Sequence, residues 1–231
     1  MRNLNLTKQL NSQINEHLRT AITLLLWKSG AVKVNLDEPF KLASGNFSPI
    51  YINCRQVISD PHFMTAFNAA ARILLACDDV DINMIAGGVT AGVPFAAYLA
   101  KDLNVPLVYV RKAQKGYGLS KQIEGGDPNG SKVLLVEDLI TDAGSKVNFI
   151  EALRDGGAIV ANTLVLFDRL QGGKKSLKEM GVILHSVTDM DLTLDIGETS
   201  GLFKAATIES VRKYIADPKA WHEVMGLEFN G

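Results

Sequence analysis

The sequence has few of the residues that build disulfide frameworks or metal centres. Only two of its 231 residues are cysteine, Cys54 and Cys77, and they show no CxxC spacing. Two cysteines cannot form a disulfide framework. The four histidines are scattered without an HExxH or CxxH pattern, at His17, His62, His185 and His222. We therefore expect both cysteines to be buried structural thiols, and no metal ion held directly by protein side chains.

Long apolar runs and an excess of one charge are also absent. The net charge is −1 at pH 7, so nothing global attracts nucleic acid or a membrane surface. The apolar run at residues 21–27 is much shorter than the roughly 18 residues that a membrane-spanning helix needs, and the polar amino terminus has no signal-peptide core. We expect a soluble, cytoplasmic protein that binds neither nucleic acid nor membranes.

Apolar segments alternate with helical segments after residue 80. The apolar segments are 82–88, 106–112, 132–138, 159–169 and 182–188. Strands that are apolar throughout are buried on both faces, which is typical of a parallel sheet. Alternation of strands and helices then predicts a doubly wound α/β fold, a twisted and mostly parallel sheet flanked by helices. In such sheets ligands bind outside the carboxyl ends of the strands.

Helical periodicity and turn signals predict how the rest of the chain is organised. Helices are predicted over residues 6–29, 61–77, 143–156 and 204–216. We expect a single domain over residues 1–231. Its predicted parts are an amino-terminal helix and hood segment, an α/β core and a carboxyl-terminal helical extension, at 1–60, 61–190 and 191–231.

The segment VLLVEDLITDAGS, residues 133–145, places two acids at the end of a buried strand. Glu137 and Asp138 are adjacent carboxylates that could accept the hydroxyls of a ribose, or hold magnesium through its waters. The small and hydroxyl residues that follow form a turn into a helix, where backbone N–H groups and the helix dipole favour an anion. A capped helix with surface acids remains the alternative for this segment alone.

This segment resembles the 5-phosphoribosyl 1-diphosphate (PRPP) signature of the phosphoribosyltransferases. The resemblance implies that the acids bind the ribose hydroxyls, that Asp138 is catalytic, and that the loop binds the 5-phosphate. The residues so assigned to PRPP are Glu137, Asp138, Leu139, Ile140, Thr141, Asp142, Ala143, Gly144 and Ser145. Asp142 and Ala143 replace the usual neutral residue and glycine. We expect the Asp142 carboxylate to face outward, because it would repel a phosphate.

Three further segments resemble the orotate phosphoribosyltransferases, in order along the chain. Residues 41–55, 85–100 and 110–125 resemble their amino-terminal segment, their diphosphate-binding turn with its helix, and their mobile basic loop. Arg169 matches an orotate-contacting arginine, and the resemblance implies orotate binding by Thr141 and Arg169. An ordinary surface arginine paired with Asp168 is the alternative.

The basic loop carries three cations within five residues, Arg111, Lys112 and Lys115. Donors that close on a diphosphate leaving group stabilise the charge that grows on it. The resemblance implies that all three bind PRPP, that Lys115 is catalytic, and that the protein is a homodimer in which Arg111 or Lys112 acts in the neighbouring subunit's site. A solvated surface loop is the alternative for this segment alone.

The resemblance as a whole implies a glycosyltransferase of pyrimidine biosynthesis. It would transfer the 5-phosphoribosyl group from PRPP to orotate, giving orotidine 5-monophosphate and diphosphate. Mg²⁺ would be the cofactor, carried by PRPP and not by direct protein ligands. Two alternatives stay open: a phosphoribosyltransferase for another base, and a non-catalytic regulator that senses PRPP.

Overall fold

A six-stranded sheet with helices on both faces forms the centre of the structure. The computed structural model describes residues 2–42, 44–112 and 122–230, with side chains from Gln9 onward. The helices are α1 (Arg2–Lys28), α2 (Pro61–Cys77), α3 (Gly92–Leu103), α4 (Gly144–Asp155), α5 (Gly173–Glu179), α6 (Met190–Thr199), α7 (Ala205–Ala216) and α8 (Pro218–Met225). The strands are β1 (Val32–Val34), β2 (Phe40–Lys41), β3 (Phe47–Ser48), β4 (Ile50–Ile52), β5 (Met84–Gly88), β6 (Leu107–Val110), β7 (Ile123–Glu124), β8 (Lys132–Ile140), β9 (Ile159–Asp168) and β10 (Ile183–Asp189).

The central sheet has the strand order β10-β9-β8-β5-β6-β7. The pairs from β10 to β6 are parallel, and β7 adds an antiparallel edge beside β6. The middle strand β5 is buried along its whole length, as its continuous apolar sequence requires. The predicted α/β fold with a mostly parallel sheet is confirmed.

Two hydrophobic cores lie on opposite faces of this sheet. One face packs against α1, α2, α3 and the helices after β10, around buried residues such as Phe67 and Phe95. The other face packs against α4 and α5, with Phe149 and Ile150 at its centre. Complete burial of a side chain of this size contributes about 1.5–3 kcal/mol, so both helical layers are held mainly by apolar packing.

The start of α2 is determined by residues that are adjacent in the sequence. Asp60 accepts hydrogen bonds from the backbone N–H groups of His62 and Phe63, at 2.9 and 3.2 Å. Pro61 occupies the first helical position, where its missing N–H costs nothing. The helix runs from Pro61 to Cys77, which are the bounds that the sequence predicts.

The amino-terminal helix α1 is fastened to the far edge of the sheet. Arg19 donates to the Asp189 carboxylate at 2.7 Å and to the carbonyl of Val187 at 3.1 Å. One turn further on, the hydroxyls of Thr23 and Thr188 share a buried hydrogen bond of 2.5 Å. These contacts join α1 to β10, at the opposite end of the chain. Among the described residues, no helix combines the length and apolarity of a membrane span.

The carboxyl-terminal extension contains three helices where the sequence predicted one. The predicted helix at 204–216 is α7, but α6 and α8 were missed. No glycine or proline separates β10 from α6, and Asp189 caps α6 by accepting from the N–H of Leu192 at 2.9 Å. The helix α8 has only eight residues, too few for a clear periodicity. Helices as short as α8 are stabilised mainly by tertiary packing, which the sequence alone does not reveal.

The two cysteines differ in their surroundings. Both are free thiols; Cys54 is buried and Cys77 only partly so. Burial raises the pKa of the Cys54 thiol, which keeps it protonated and unreactive. The prediction of buried thiols therefore holds for Cys54, whereas Cys77 lies at the end of α2 with part of its surface exposed.

Candidate active site

The carboxyl ends of four parallel strands meet at one edge of the sheet. These ends are Gly88, Val110, Ile140 and Asp168, in β5, β6, β8 and β9. Because the strands are parallel, the segments that follow them lie together, as expected of a ligand site in a doubly wound sheet. The residues brought to this edge are Arg111, Lys112, Asp138, Thr141 and Arg169.

Glu137 points into the protein from this edge. Its side chain is buried, and Oε2 lies 2.8 Å from Nζ of Lys146. A Cβ at Gly88 or Gly92 would lie 2.1 or 2.4 Å from the other oxygen, Oε1, so these glycines are needed to accommodate the carboxylate. Burial raises the pKa of Glu137, and the charge of Lys146 opposes that rise. Within the described residues Oε1 is buried and has no hydrogen-bond partner.

Lys146 was missed by the sequence interpretation, although its position carried a signal. It is 7% exposed and lies on the buried face of α4 together with Phe149, Ile150 and Leu153. The spacing of three, four and seven residues is that of an inward-facing helix stripe. A lysine in such a stripe, one turn after a strand that ends in acids, indicates an internal ion pair. Buried lysines are rare without a partner.

Asp138 is the more accessible of the two acids. Successive side chains of a strand point to opposite faces, and the Asp138 side chain retains partial exposure beside Arg55, whose Nε lies 3.9 Å from Oδ2. Burial raises the pKa of Asp138, while Lys146 and Arg55 counteract the rise. The adjacent acids therefore have different surroundings: Glu137 is neutralised internally, and Asp138 faces the strand-end region.

The loop after β8 is shaped by its own acid. The Asp142 carboxylate is exposed, yet it turns back to accept from the N–H of Gly144 at 3.0 Å and from the hydroxyl of Thr141 at 3.3 Å. The hydrogen bond from Gly144 lowers the pKa of Asp142. Outward exposure agrees with expectation, but the carboxylate occupies an N–H at the start of α4. An anion can use that N–H only when Asp142 releases it.

Ala143 adopts a backbone conformation that glycine favours. Its φ is +78° and its ψ is 4°, in the left-handed region that costs an L-residue roughly 1–2 kcal/mol. Its methyl group is buried. The loop thus keeps a glycine-like path although alanine stands there. Ile140 is buried and Leu139 half-buried, so any contact of these two residues with a ligand would come mainly from the backbone.

Arg169 lies on the other side of the same edge. Its backbone N–H donates to the carbonyl of Ile140 at 3.0 Å. Burial lowers the pKa of the guanidinium, and the nearby Tyr214 and Cys54 oppose this. Its Nε is buried without a hydrogen-bond partner in the described part of the chain. Asp168 instead accepts from the N–H of Leu170 at 2.8 Å, so the guanidinium retains donors for a ligand.

The described ends of the basic loop fold back on the sheet edge. The backbone N–H of Arg111 donates to the carbonyl of Gln122, and the side-chain amide of Gln122 donates to the carbonyl of Arg111. The Nη1 atom of Arg111 lies 3.7 Å from Oε1 of Glu124. Lys112 is exposed, and its positive charge, like that of Lys146, opposes the rise that burial causes in the pKa of Glu137. Lys115 lies outside the described residues, so its catalytic role stays a prediction. In the described ranges, no group of three or more His, Cys, Asp or Glu side chains could hold a metal ion.

Comparison with known proteins identifies the family. Residues 61–192, more than half of the chain, match the phosphoribosyl transferase domain. A Sinorhizobium fredii protein named orotate phosphoribosyltransferase is 42% identical over 209 residues, covering 89% of this chain and 90% of that protein. This chain belongs to the orotate phosphoribosyltransferases. The family predicted from the sequence is thereby confirmed.

Solved structures of orotate phosphoribosyltransferases and related enzymes share the fold. The orotate phosphoribosyltransferase of Aeropyrum pernix is 34% identical, with a TM-score of 0.64 over 75% of this chain and 97% of its own. UMP synthase of Leishmania donovani is 29% identical, with a TM-score of 0.73 over 85% of this chain. The similarity covers 42% of that longer protein.

Substitution of Lys146 tests the internal ion pair. Lys146→Met should lower the free energy of unfolding by about 3–5 kcal/mol, because the Glu137 charge remains buried without a partner. Adding Glu137→Gln should recover much of that loss, since no buried charge is then left unpaired. Urea denaturation of the wild type, both single variants and the double variant measures the coupling. The exposed Lys175→Met serves as control. Additive losses in the double variant would contradict the pairing.

Proposed function

We propose that this protein transfers the 5-phosphoribosyl group from PRPP to orotate, giving orotidine 5-monophosphate and diphosphate, a reaction of pyrimidine biosynthesis. One juxtaposition carries the proposal: an accessible acid, a phosphate-sized backbone loop and a desolvated arginine lie at one edge of the sheet, at Asp138, 141–145 and Arg169. The family of the chain supports this interpretation. One hydrophobic core contains residues from α1 to α8, so we also propose a single domain over residues 1–231.

The donor PRPP would be bound through its ribose and its 5-phosphate. Asp138 would accept the ribose hydroxyls, and Glu137 would fix the shape of the strand end through its buried pair with Lys146. The 5-phosphate would lie on the backbone N–H groups of 141–145, at the positive end of α4. Asp142 would then exchange its bond with Gly144 for solvent.

The acceptor orotate would be oriented by Arg169. A half-buried guanidinium whose Nε is buried and unpaired favours a ligand carboxylate, because the paired charges replace the water that both have lost. Orotate carries a carboxylate and carbonyl groups on one planar ring, which suits the planar guanidinium. Thr141 would add a hydroxyl at the same edge. A purine offers no carboxylate, so this arginine favours orotate over the alternative bases.

Catalysis would rest on positioning and electrostatics. As the bond from C1 to the diphosphate oxygen breaks, positive charge develops on the ribose ring and negative charge on the leaving group. Arg111, Lys112 and Lys115 would stabilise the diphosphate, and Asp138 would hold the ribose in place. Mg²⁺ carried by PRPP would neutralise part of the diphosphate charge, with Asp138 able to hold its water ligands.

The quaternary arrangement and location complete the proposal. We propose a cytoplasmic homodimer in which basic residues of one subunit's loop act in the partner's site. The basic residues available for the partner's site are Arg111, Lys112 and Lys115.

A panel of bases tests the reaction directly. With PRPP and Mg²⁺ present, the absorbance of orotate should fall in proportion to the diphosphate released, while uracil, adenine and hypoxanthine should give little product. Preferred turnover of another base would favour a different phosphoribosyltransferase. Binding of PRPP without turnover of any base would favour the non-catalytic sensor.

Asp138→Asn tests the role of the accessible acid. Loss of a charged hydrogen bond worth about 1.5–3 kcal/mol should raise the KM for PRPP roughly 10- to 100-fold, with little change in the KM for orotate. Steady-state kinetics with each substrate varied in turn would separate the two effects. Asp155→Asn, an exposed acid at the end of α4, is the matched control. An equal rise in both KM values would remove Asp138 from the ribose.

Mixing two inactive variants tests the shared site. Lys115→Ala and Arg169→Ala should each abolish most activity, because each removes a group needed for a different part of the reaction. If Lys115 acts in the partner's site, mixed dimers contain one site with both residues intact, and co-refolded mixtures should regain up to about a quarter of the wild-type rate, the statistical share for random pairing. A mixture that stays inactive, with mixed dimers demonstrated, would place both residues in one chain's site.

A further inference from the structure

The last part of the chain packs against a short hairpin near the proposed base site. We call residues 40–42 and 44–48, with β2 and β3, the hood hairpin, and residues 214–230 the tail. The hairpin has only two paired positions, Phe40 with Ser48 and Lys41 with Phe47. A two-stranded hairpin is marginally stable by itself in water. Its place in the protein must therefore be set by what contacts it.

His222 in α8 makes one of these contacts. It is completely buried, and its Nε2 accepts a hydrogen bond from the backbone N–H of Phe47 at 3.0 Å. Its Nδ1 lies 2.6 Å from the carbonyl of Pro218, to which it must donate. Both ring nitrogens are therefore used by a neutral imidazole with its proton on Nδ1. The ring fixes one strand of the hood hairpin to the tail.

A second contact lies at the turn of the hairpin. The side-chain amide of Asn46 donates to the carbonyl of Asn230 at 2.9 Å, and its oxygen accepts from the N–H of Asn230 at 2.7 Å. This pair is reciprocal and joins residues 184 positions apart. The hairpin is thus fixed to the tail at both its strand and its turn.

The tail also reaches the arginine of the site. Tyr214 is a neighbour of Arg169 and opposes the lowering of the guanidinium pKa that burial causes. The ring of Tyr214 packs on Trp221 with centroids 5.2 Å apart, and Trp221 packs on His222 at 5.3 Å. One aromatic cluster therefore connects Arg169 with the hood hairpin.

The hood hairpin leads directly into the site. From Phe47 the chain runs through β4 to the buried Cys54 and to Arg55, which lies beside Asp138. Along this path the Tyr51 ring is 42% exposed and lies 5.6 Å from Phe40. A shift of Phe47 would move this exposed aromatic surface relative to Arg169.

We propose that His222 is a positioning residue for the orotate side of the active site, acting through the backbone N–H of Phe47. The inference rests on the proposed transfer to orotate. The tail holds the hood hairpin and Arg169 in one fixed relation, so that a planar base can lie between the exposed aromatic surface and the guanidinium. His222 touches no substrate. Its effect is on geometry, and a displacement of about 1 Å can reduce catalysis severely.

Two substitutions at position 222 separate this role from simple stability. His222→Gln can place its side-chain oxygen near the position of Nε2 and keep the acceptor for Phe47. His222→Asn can replace the Nδ1 donor to Pro218 but cannot reach Phe47. Both variants are smaller than histidine and leave space in the same aromatic cluster. Glu223→Gln, an exposed change in the same helix, is the control. Asn46→Ala removes the hydrogen bonds between the Asn46 side chain and the backbone of Asn230. Because Asn46 is only half-buried, this variant replaces the His222 variants in the test if those do not fold.

The measurement is the KM for orotate and for PRPP in the full-length protein, together with the melting temperature. His222→Asn and Asn46→Ala should raise the KM for orotate about tenfold, equivalent to one lost hydrogen bond, and the KM for PRPP less than about twofold. His222→Gln should stay closer to the wild type in the KM for orotate, with a similar melting temperature to His222→Asn.

Other outcomes overturn the inference. If both 222 variants lower the melting temperature while both KM values stay unchanged, His222 is only a structural residue. If the KM for PRPP rises as much as that for orotate, the tail does not act selectively on the base side. Wild-type protein that turns over no orotate would instead defeat the proposed function, so the two failures are distinguishable.

Discussion

The buried pair of Lys146 and Glu137 is the constraint on which the geometry of the site depends. A carboxylate removed from water is costly unless a counter-charge and close packing compensate. Lys146 supplies the charge from α4, and Gly88 and Gly92 leave the space beside β5 and α3. The elements α3, α4 and β5 therefore all pack against the side chain of Glu137, near the end of β8. Asp138, the next residue, is consequently left at a defined position on the opposite face.

The two ends of the chain also pack around the carboxyl edge of the sheet that carries the site. The helix α1 is fastened through Arg19 to Asp189, immediately before α6. The tail after α6 then returns to the hood hairpin and to Arg169 through Tyr214 and His222. The segments outside the family's central domain match, 61–192, are thus part of one structural unit around the site. These outer segments pack around the site, while the strand ends supply its charged groups.

The sequence predicted the fold and the family better than it predicted individual contacts. Continuous apolar strands and the Asp60-Pro61 helix start are local signals. Such signals can be recognised from the sequence without a structure. Glu137 and Asp138 looked equivalent there, because strand alternation does not reveal which face is filled by a lysine from the next helix. The hydrogen bond from Gly144 to Asp142 and the contact of His222 with Phe47 join backbone atoms to side chains. Such contacts depend on tertiary packing and leave no pattern in the sequence.

A crystal structure of the protein with PRPP and Mg²⁺ would show directly how the loop after β8 binds the 5-phosphate. We expect the 5-phosphate to accept hydrogen bonds from the backbone of 141–145, with the N–H of Gly144 released by Asp142. We expect the ribose hydroxyls to donate to Asp138 while Lys146 stays paired with Glu137. A phosphate bound elsewhere, with Asp142 still on Gly144, would contradict these expectations.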